Sequence, residues 1–217
     1  MKKVAVLLSG SGVFDGAELH ESVLTLLEIA RSGAHYQCFA PDIAQLHVVN
    51  HLTGEVDETD NRNVLVESAR VARGDVKPVA DLNINEFAAL IVPGGFGAAK
   101  NLCNFALAGA KHIIDPSVKH FISQFTQANK PVGFMCISPV MIPQCYEAGV
   151  LATIGSDADT ATAFEKQGGV HQVAKVDAIV VDEVNKVVST PAYMLADNIV
   201  DAHKGITKLV ARVLSMT

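Results

Sequence analysis

The chain contains no tryptophan, few other aromatic residues and no cluster of basic residues. Aromatic residues make up 6% of its 217 residues, whereas hydrophobic residues make up 49% and are mostly aliphatic. Aliphatic residues without tryptophan are typical of buried parallel strands covered by helices. The formal net charge is −6. Without a lysine or arginine block at this charge, we expect neither nucleic acid nor an anionic membrane as a partner.

Signals for export, membrane insertion and metal binding are also missing. Only about five apolar residues follow Met1-Lys2-Lys3 before Ser9, too few for a signal peptide or a membrane span. The four cysteines form no CxxC pair, so we expect free thiols, no metal site and a reducing, cytoplasmic location. The length suits one α/β domain over residues 1–217.

Strand and helix patterns alternate along the chain. Strands are predicted at residues 4–8, 35–40, 88–92, 132–135, 151–155, 170–173, 178–181 and 186–189. Residues 47–52, which Thr53-Gly54-Glu55 follow, are predicted to form a strand or one arm of a hairpin. Helices are predicted at residues 18–33, 61–72, 117–128, 139–148, 157–166 and 192–214. The last three strands read as short and partly antiparallel. This alternation predicts a doubly wound α/β/α sandwich with a mainly parallel sheet, in which ligands bind beyond the carboxyl ends of the strands.

The most informative residue is Cys136, which follows the apolar segment 132–135 and precedes Ile137-Ser138-Pro139. A cysteine on such a strand-to-helix turn is displayed where ligands bind. Unpaired N–H groups and the helix dipole favour the thiolate there, and the tight turn leaves an N–H free for an oxyanion, as in a nucleophile elbow. The alternative is a structural thiol, because free cysteine is among the most buried residue types. We predict a nucleophile.

A glycine-rich turn follows another predicted strand in the run Pro93-Gly94-Gly95-Phe96-Gly97. Glycine lets a backbone come close to a ligand and direct its N–H groups at it. We therefore predict that Gly94 and Gly95 bind substrate, and that an N–H near Gly95 pairs with that of Ile137 as an oxyanion hole. The alternative is a loop that only needs glycine for a positive φ.

A catalytic thiol needs a group that sets its protonation state. Glu18 and Glu21 open the first helix and share one face, because they are three residues apart. We predict that at least one of them acts on the thiol, although either one alone could serve only the helix dipole. His171 is the one histidine within about forty residues after Cys136 and is the candidate to complete a triad. Its alternative is an exposed polar position.

A different function would follow from the run Gly10-Ser11-Gly12-Val13-Phe14-Asp15-Gly16. Its GxGxxxG spacing can cradle a dinucleotide pyrophosphate at a helix amino end, and Asp42 could then hold a ribose. That interpretation leaves Cys136 and the run 93–97 unexplained. Cysteine chemistry is therefore the preferred hypothesis.

Taken together, these residues resemble the PfpI/ThiJ superfamily, the flavodoxin-like group related to class I glutamine amidotransferases. The resemblance covers residues 3–215 and rests on Gly16-Ala17-Glu18-Leu19-His20-Glu21, Pro93-Gly94-Gly95-Phe96-Gly97 and Cys136-Ile137-Ser138-Pro139. Longer matches, among them Asn50-His51-Leu52-Thr53-Gly54-Glu55 and Thr190-Pro191-Ala192-Tyr193-Met194, resemble the enhancing-lycopene-biosynthesis protein family, ElbB.

The resemblance implies that the elbow cysteine lies against Glu21, with Glu18 preceding it. It also implies a cytoplasmic homodimer with weak glyoxalase activity, which converts the small-molecule aldehyde glyoxal to glycolate without glutathione, and a link to isoprenoid biosynthesis. The histidine that many members carry roughly twenty residues after the cysteine is missing here, since that stretch reads Thr153-Ile154-Gly155-Ser156-Asp157. The late His-x-Glu pair of amidotransferases is missing too, which disfavours glutamine hydrolysis.

The resulting hypothesis is a cofactor-independent glyoxalase-type enzyme. Thiolate Cys136 adds to glyoxal or a related 2-oxoaldehyde, and Glu21, with Glu18, moves the proton between the two carbons. Two other classes of function stay open. An exposed thiol of low pKa would act as a redox sensor, and a pocket without catalysis would make the protein a regulator that binds a small molecule.

Overall fold

The computed structural model describes all 217 residues and builds seven strands into one sheet. The chain has nine strands in all, which are β1 Lys3–Leu7, β2 His35–Ala40, β3 Val76–Pro78, β4 Ala89–Val92, β5 Val132–Met135, β6 Leu151–Ala152, β7 Val170–His171, β8 Val180–Asp182 and β9 Val187–Thr190. The order in the main sheet is β3-β2-β1-β4-β5-β9-β8, and every pair is parallel except β8 with β9. β6 and β7 form a separate parallel pair. The predicted mainly parallel, flavodoxin-like sheet is confirmed.

Six α-helices flank the strands. They are α1 Leu19–Arg31, α2 Val64–Val71, α3 Phe105–Ala108, α4 Pro116–Gln127, α5 Ala158–Lys166 and α6 Ile199–Ser215. The longer ones begin at side chains that accept N–H bonds of the first turn, as N-caps do, such as Asp115 for α4 and Asn198 for α6. None of these helices combines the length and apolar character that crossing a membrane requires.

The sheet is buried on both faces. In β1, Ala5 and Leu7 pack into one apolar cluster of 25 buried residues, whereas Val4 and Val6 pack into a second cluster of 19 on the opposite face. Successive side chains of a strand point to opposite faces, so a continuous apolar run serves both clusters at once. This explains why the buried strands read as unbroken aliphatic segments in the sequence.

β3 and α3 lie where the sequence predicts no element, and β6 and β7 are shorter than predicted. Three further segments differ in kind from the sequence prediction. The helix predicted at 139–148 is a tight 3₁₀ helix, Ser138–Gln144, because Pro143 inside it lacks the N–H that a continuing α-helix requires. The predicted helix 192–214 is split, with a single tight turn at Ala192–Met194 before α6. Residues 47–52, predicted as a strand or a hairpin arm, form only one antiparallel bridge, between Val49 and Val56 across the turn at 53–55.

The topology fixes where a ligand site can form. From β1 the chain adds β2 and β3 on one side of the sheet, and then adds β4 and β5 on the other side. Loops leave the carboxyl ends of β1 and β4 in opposite directions at such a switch point, which opens a crevice. The glycine-rich turns after β1 and β4 and the cysteine after β5 therefore meet at one edge.

The core packing predicts that alanine substitutions at two isoleucines have very different effects on the free energy of unfolding. Ile122 is fully buried between α4 and the sheet, whereas Ile113 is 65% exposed. Ile122→Ala should lower the free energy of unfolding by about 2–5 kcal/mol, because it leaves a cavity. Ile113→Ala should change it by no more than about 0.5 kcal/mol. Urea denaturation of both variants measures the difference, and equal effects would contradict the assignment of the core.

Candidate active site

Cys136 sits on a strained turn at the end of β5. Its φ is +60°, in the left-handed region that non-glycine residues rarely adopt, which costs about 1–3 kcal/mol. The surrounding backbone holds this conformation. The Cys136 N–H donates to the carbonyl of Thr190 at 3.1 Å. The Ser138 hydroxyl accepts from the Met135 N–H at 3.0 Å and donates to the Val92 carbonyl at 2.9 Å. The turn has the geometry of a nucleophile elbow.

The elbow opens onto a cavity of about 420 Å³. Its polar lining consists of Glu18, Cys136, Asp157, Thr160 and Tyr193, together with the backbone of Gly95. Its apolar lining comes from Val13, Phe96, Ala99, Phe105, Ala106, Ile137 and Met194. Cys136 is only 7% exposed, and it lies in the lining of this cavity.

Glu21 lies behind the thiol and is fully buried. Its Oε2 accepts from the Gly94 N–H at 2.8 Å and its Oε1 from the Tyr193 N–H at 3.2 Å. The Cys136 thiol lies beside this carboxyl and lowers its pKa. The approach is so close that a Cβ on Gly94 would lie 2.4 Å from the Cys136 Cβ and 2.9 Å from the Glu21 Oε2. Only glycine fits at position 94.

Glu18 combines the two roles that the sequence left open. Its Oε2 accepts from the Glu21 N–H at 2.6 Å, which caps α1. The same residue lines the cavity beside Cys136. Its own N–H donates to the Gly94 carbonyl at 3.0 Å, which ties the start of α1 to the turn after β4. Glu18 therefore caps the helix and also faces the space where a ligand would bind.

The protonation state of Cys136 differs from the thiolate that the sequence predicts. Burial, and then the charge of Glu18, raise the pKa of Glu21 to about 7, against the lowering effect of its N–H and thiol donors. Burial, and then the charge of Glu21, raise the pKa of Cys136 well above its usual range. The N–H groups of Gly95 and Ile137 hydrogen-bond to the thiol and lower its pKa without reversing the direction. The resting group is therefore a thiol, because desolvation outweighs the dipole of a short 3₁₀ helix.

His171 is not brought to the thiol. It lies in β7, in the separate two-stranded sheet, with its ring edge-on to Phe164 at 6.5 Å. It is absent from the cavity lining, and burial lowers its pKa. The expectation that it supplies the histidine of a triad has no support in its position.

Tyr193 is the site residue that the sequence reasoning did not single out. It lines the cavity, its N–H binds Glu21, and its hydroxyl lies 2.7 Å from the His20 Nδ1. Burial, and then the charges of Glu18 and Glu21, raise its pKa, so the phenol stays protonated and can donate a hydrogen bond. The residues of segment 190–194 match a family motif, and nothing in their types alone indicates contact with α1.

The glycine run 10–16 serves packing rather than a dinucleotide. A Cβ on Gly16 would lie 2.2 Å from the Ser11 nitrogen. The carbonyls of Val13 and Gly16 accept N–H bonds from Phe96 and Gly97, both at 2.8 Å. These bonds interlock the turns after β1 and β4, and the Gly12 N–H donates to the Ala17 carbonyl instead of pointing outward.

Metal-binding side chains do not gather anywhere in the chain. No group of three or more His, Cys, Asp or Glu residues has a geometry that could hold an ion. His47 and His51 are four residues apart, but His51 is held by the Val49 carbonyl at 2.9 Å and the Phe14 N–H at 3.2 Å. Asp42, the proposed ribose partner, accepts from the Asn63 side chain at 2.8 Å.

Known proteins share this architecture over nearly the whole chain. The human glutamine amidotransferase-like class 1 domain-containing protein 3, mitochondrial, is 42% identical over 224 residues, which cover 99% of this chain and 83% of that protein. The chain belongs to this amidotransferase-like family. The crystal structure of an isoprenoid biosynthesis protein with an amidotransferase-like domain from Ehrlichia chaffeensis is 36% identical, with a TM-score of 0.91, and covers 99% of this chain and all of that one. No family model matches.

More distant structures share the fold alone. A DJ-1 superfamily protein from Salmonella typhimurium is 20% identical, with a TM-score of 0.61 over 99% of this chain and 91% of that one. Glyoxalase III from Candida albicans is 14% identical, with a TM-score of 0.63 over 99% of this chain and 97% of that one. The resemblance to the glutamine amidotransferase-like family is therefore confirmed. The likeness to the DJ-1 type structures is one of fold, and membership of ElbB itself stays a prediction.

The relatives correct one expectation. The human protein and its rat and zebrafish relatives in this amidotransferase-like family are all named as mitochondrial. The cytoplasmic location expected from free cysteines and a short apolar amino terminus is therefore wrong. Free thiols indicate a reducing compartment, and they do not distinguish one such compartment from another.

The buried carboxyl predicts a pH dependence of stability. A folded-state pKa of about 7 for Glu21 lies above the ordinary value for glutamate, so the folded state binds the proton more tightly than the unfolded state. The contribution of Glu21 to the free energy of unfolding is complete below about pH 4.5 and is lost as the pH rises through 7. Glu21→Gln should remove about 3 kcal/mol of this decline in unfolding free energy.

Urea denaturation between pH 4.5 and 8 measures the effect. The exposed Glu165 on α5 provides a matched control, and Glu165→Gln should leave the shape of the profile unchanged. An identical profile for wild type and Glu21→Gln would contradict the raised pKa.

Proposed function

We propose that this protein is a glutathione-independent, cofactor-independent glyoxalase-type enzyme that converts a 2-oxoaldehyde such as glyoxal to the 2-hydroxy acid. The observation that supports the proposal best is the Cys136 thiol, which lines a cavity and lies beside the buried Glu21 carboxyl, whose pKa is about 7. A general base works best when its pKa lies near the working pH. Glu21 meets that condition for deprotonating a thiol.

In the first step the Cys136 sulfur attacks one aldehyde carbon of the substrate. The thiol proton passes to the Glu21 carboxylate as the sulfur–carbon bond forms. Negative charge develops on the aldehyde oxygen, next to the sulfur that the N–H groups of Gly95 and Ile137 contact. Those groups stabilise the charge, and protonation of the oxygen gives a neutral hemithioacetal.

The second step moves hydrogen between the two carbons. A base removes the proton from the hemithioacetal carbon, and a proton is delivered to the neighbouring carbonyl group by way of an enediol. The first carbon is thereby oxidised to a thioester and the second is reduced to an alcohol, so no external oxidant is needed. Glu18 suits this step, because it faces the cavity and only its Oε2 is used for capping. Water then cleaves the thioester, which releases the 2-hydroxy acid and restores the thiol.

The alternatives have less support. Oxidation as a redox sensor proceeds through the thiolate, and burial together with Glu21 disfavours that form of Cys136. Glutamine hydrolysis would need a histidine near the thiol, and His171 lies in another sheet. The name of the Ehrlichia chaffeensis protein supports a place in isoprenoid biosynthesis. We propose that link for this chain as well, without assigning a step to it.

Removal of the thiol tests the proposal directly. Cys136→Ala should lower the rate of glycolate formation from glyoxal by at least about 1000-fold, because no covalent adduct can form. Cys145→Ala removes another thiol, which lies outside the cavity lining, and should retain wild-type activity. Circular dichroism checks that both variants are folded. Glyoxal turnover that survives Cys136→Ala would exclude the mechanism.

The general base predicts a distinct pH–rate profile. The kcat/KM for glyoxal should rise with pH through about 7 as Glu21 ionises. Glu21→Gln should lose this rise and at least about 100-fold in kcat/KM.

Glu18→Gln is the companion variant for this profile. It should move the midpoint of the remaining activity to lower pH, because the charge of Glu18 raises the pKa of Glu21. A midpoint that stays in place in Glu18→Gln, or a rise that persists in Glu21→Gln, would assign the base to another residue.

A further inference from the structure

The cavity in front of Cys136 carries charge of one sign only. Among its thirteen lining residues the carboxylates are Glu18 and Asp157, and none is Lys, Arg or His. Asp157 caps α5 by accepting from the Thr160 N–H at 2.8 Å, and hydrogen bonds from Thr160 lower its pKa. Asp157 therefore carries a negative charge throughout the neutral pH range.

The basic side chains of Lys100 and His20 lie outside the cavity lining and bind other groups. Lys100 donates to the Phe14 carbonyl at 2.9 Å and lies 5.3 Å from the centre of the Phe96 ring, outside the cavity lining. His20 meets the site only through the Tyr193 hydroxyl. A phosphate or carboxylate on a ligand would find no cationic side chain in the cavity lining, and it would face Asp157 and Glu18 instead. Burial of such an unpaired charge is unfavourable.

The size and the walls of the cavity limit the ligand further. The cavity volume is about 420 Å³. A water molecule in the liquid occupies about 30 Å³, so a two-carbon dialdehyde, which is only a few times larger than water, would leave most of the cavity unfilled. Apolar side chains, among them Val13, Phe105, Ile137 and Met194, surround the remaining space. Filling this space with hydrocarbon removes apolar surface from water, which favours binding.

We infer that the site takes an uncharged 2-oxoaldehyde with an apolar substituent larger than that of glyoxal, and that it rejects phosphorylated and carboxylated aldehydes through Asp157 and Glu18. The aldehyde part of this inference rests on the proposed function. The preference for uncharged, apolar ligands rests on the cavity alone, so it can be measured without turnover.

Two unreactive ketones of the same shape test the charge preference. 4-Acetylbenzamide is neutral and 4-acetylbenzoate is an anion, and calorimetry on the wild-type protein compares their affinities at low ionic strength. The amide should bind at least about tenfold more tightly, and the gap should narrow in high salt, because salt screens the carboxylates.

Asp157→Asn tests the effect of the Asp157 charge alone, since asparagine retains the capping ability of aspartate. This variant should raise the affinity for 4-acetylbenzoate by about threefold and leave that for 4-acetylbenzamide unchanged. Asp159→Asn, two residues further along the same helix and outside the cavity lining, is the matched control and should have a smaller effect. Equal affinities for the two ketones, no binding of the amide, or equal effects of the two variants would overturn the inference.

A turnover comparison separates this inference from the proposed function. The kcat/KM for 4-methyl-2-oxopentanal, which carries an apolar branch, should exceed that for glyoxal by at least about tenfold. Equal or lower values would overturn the size preference. If no aldehyde is converted in a Cys136-dependent way while the amide still binds in preference to the carboxylate, the glyoxalase proposal fails and the ligand class stands.

Discussion

The burial of one carboxyl, that of Glu21, is the constraint on which the candidate site depends. Its two oxygens accept N–H bonds from Gly94 and Tyr193, and the group lies beside the Cys136 thiol. The group thereby joins α1, the turn after β4, the segment after β9 and the elbow after β5. Its partners are N–H groups and a thiol rather than a cation, so its charge is poorly compensated and its pKa rises.

That constraint decides the chemistry of the cysteine. A thiol beside an ionised carboxylate in a desolvated site keeps its proton, and the N–H groups of Gly95 and Ile137 only reduce the effect. The site is therefore suited to proton transfer at the moment of attack rather than to a standing thiolate. Because Cys136 is buried, a ligand must enter the cavity to reach it. The apolar walls and the carboxylates of Glu18 and Asp157 therefore determine which ligands bind.

Close backbone packing is what brings these groups together. The turns after β1 and β4 exchange N–H bonds with Val13 and Gly16 as acceptors, and Gly94 leaves room for the thiol and the carboxyl. The same glycines that resembled a nucleotide-binding loop are therefore explained by contact between two turns. A glycine motif indicates that another group approaches the backbone closely, and it does not distinguish a ligand from another segment of the same protein.

The sequence by itself determined the parallel sheet, the elbow at Cys136, the glycine turn before it and the two acidic candidates Glu18 and Glu21. Each of these follows from local patterns, namely aliphatic runs, turn residues and helix-start residues. Only the tertiary structure decided that Glu21 lies behind the thiol, that Glu18 faces the cavity, and that Tyr193 joins them while His171 does not. Those placements depend on how distant segments pack, and the protonation of the thiol depends on burial, which no local pattern encodes.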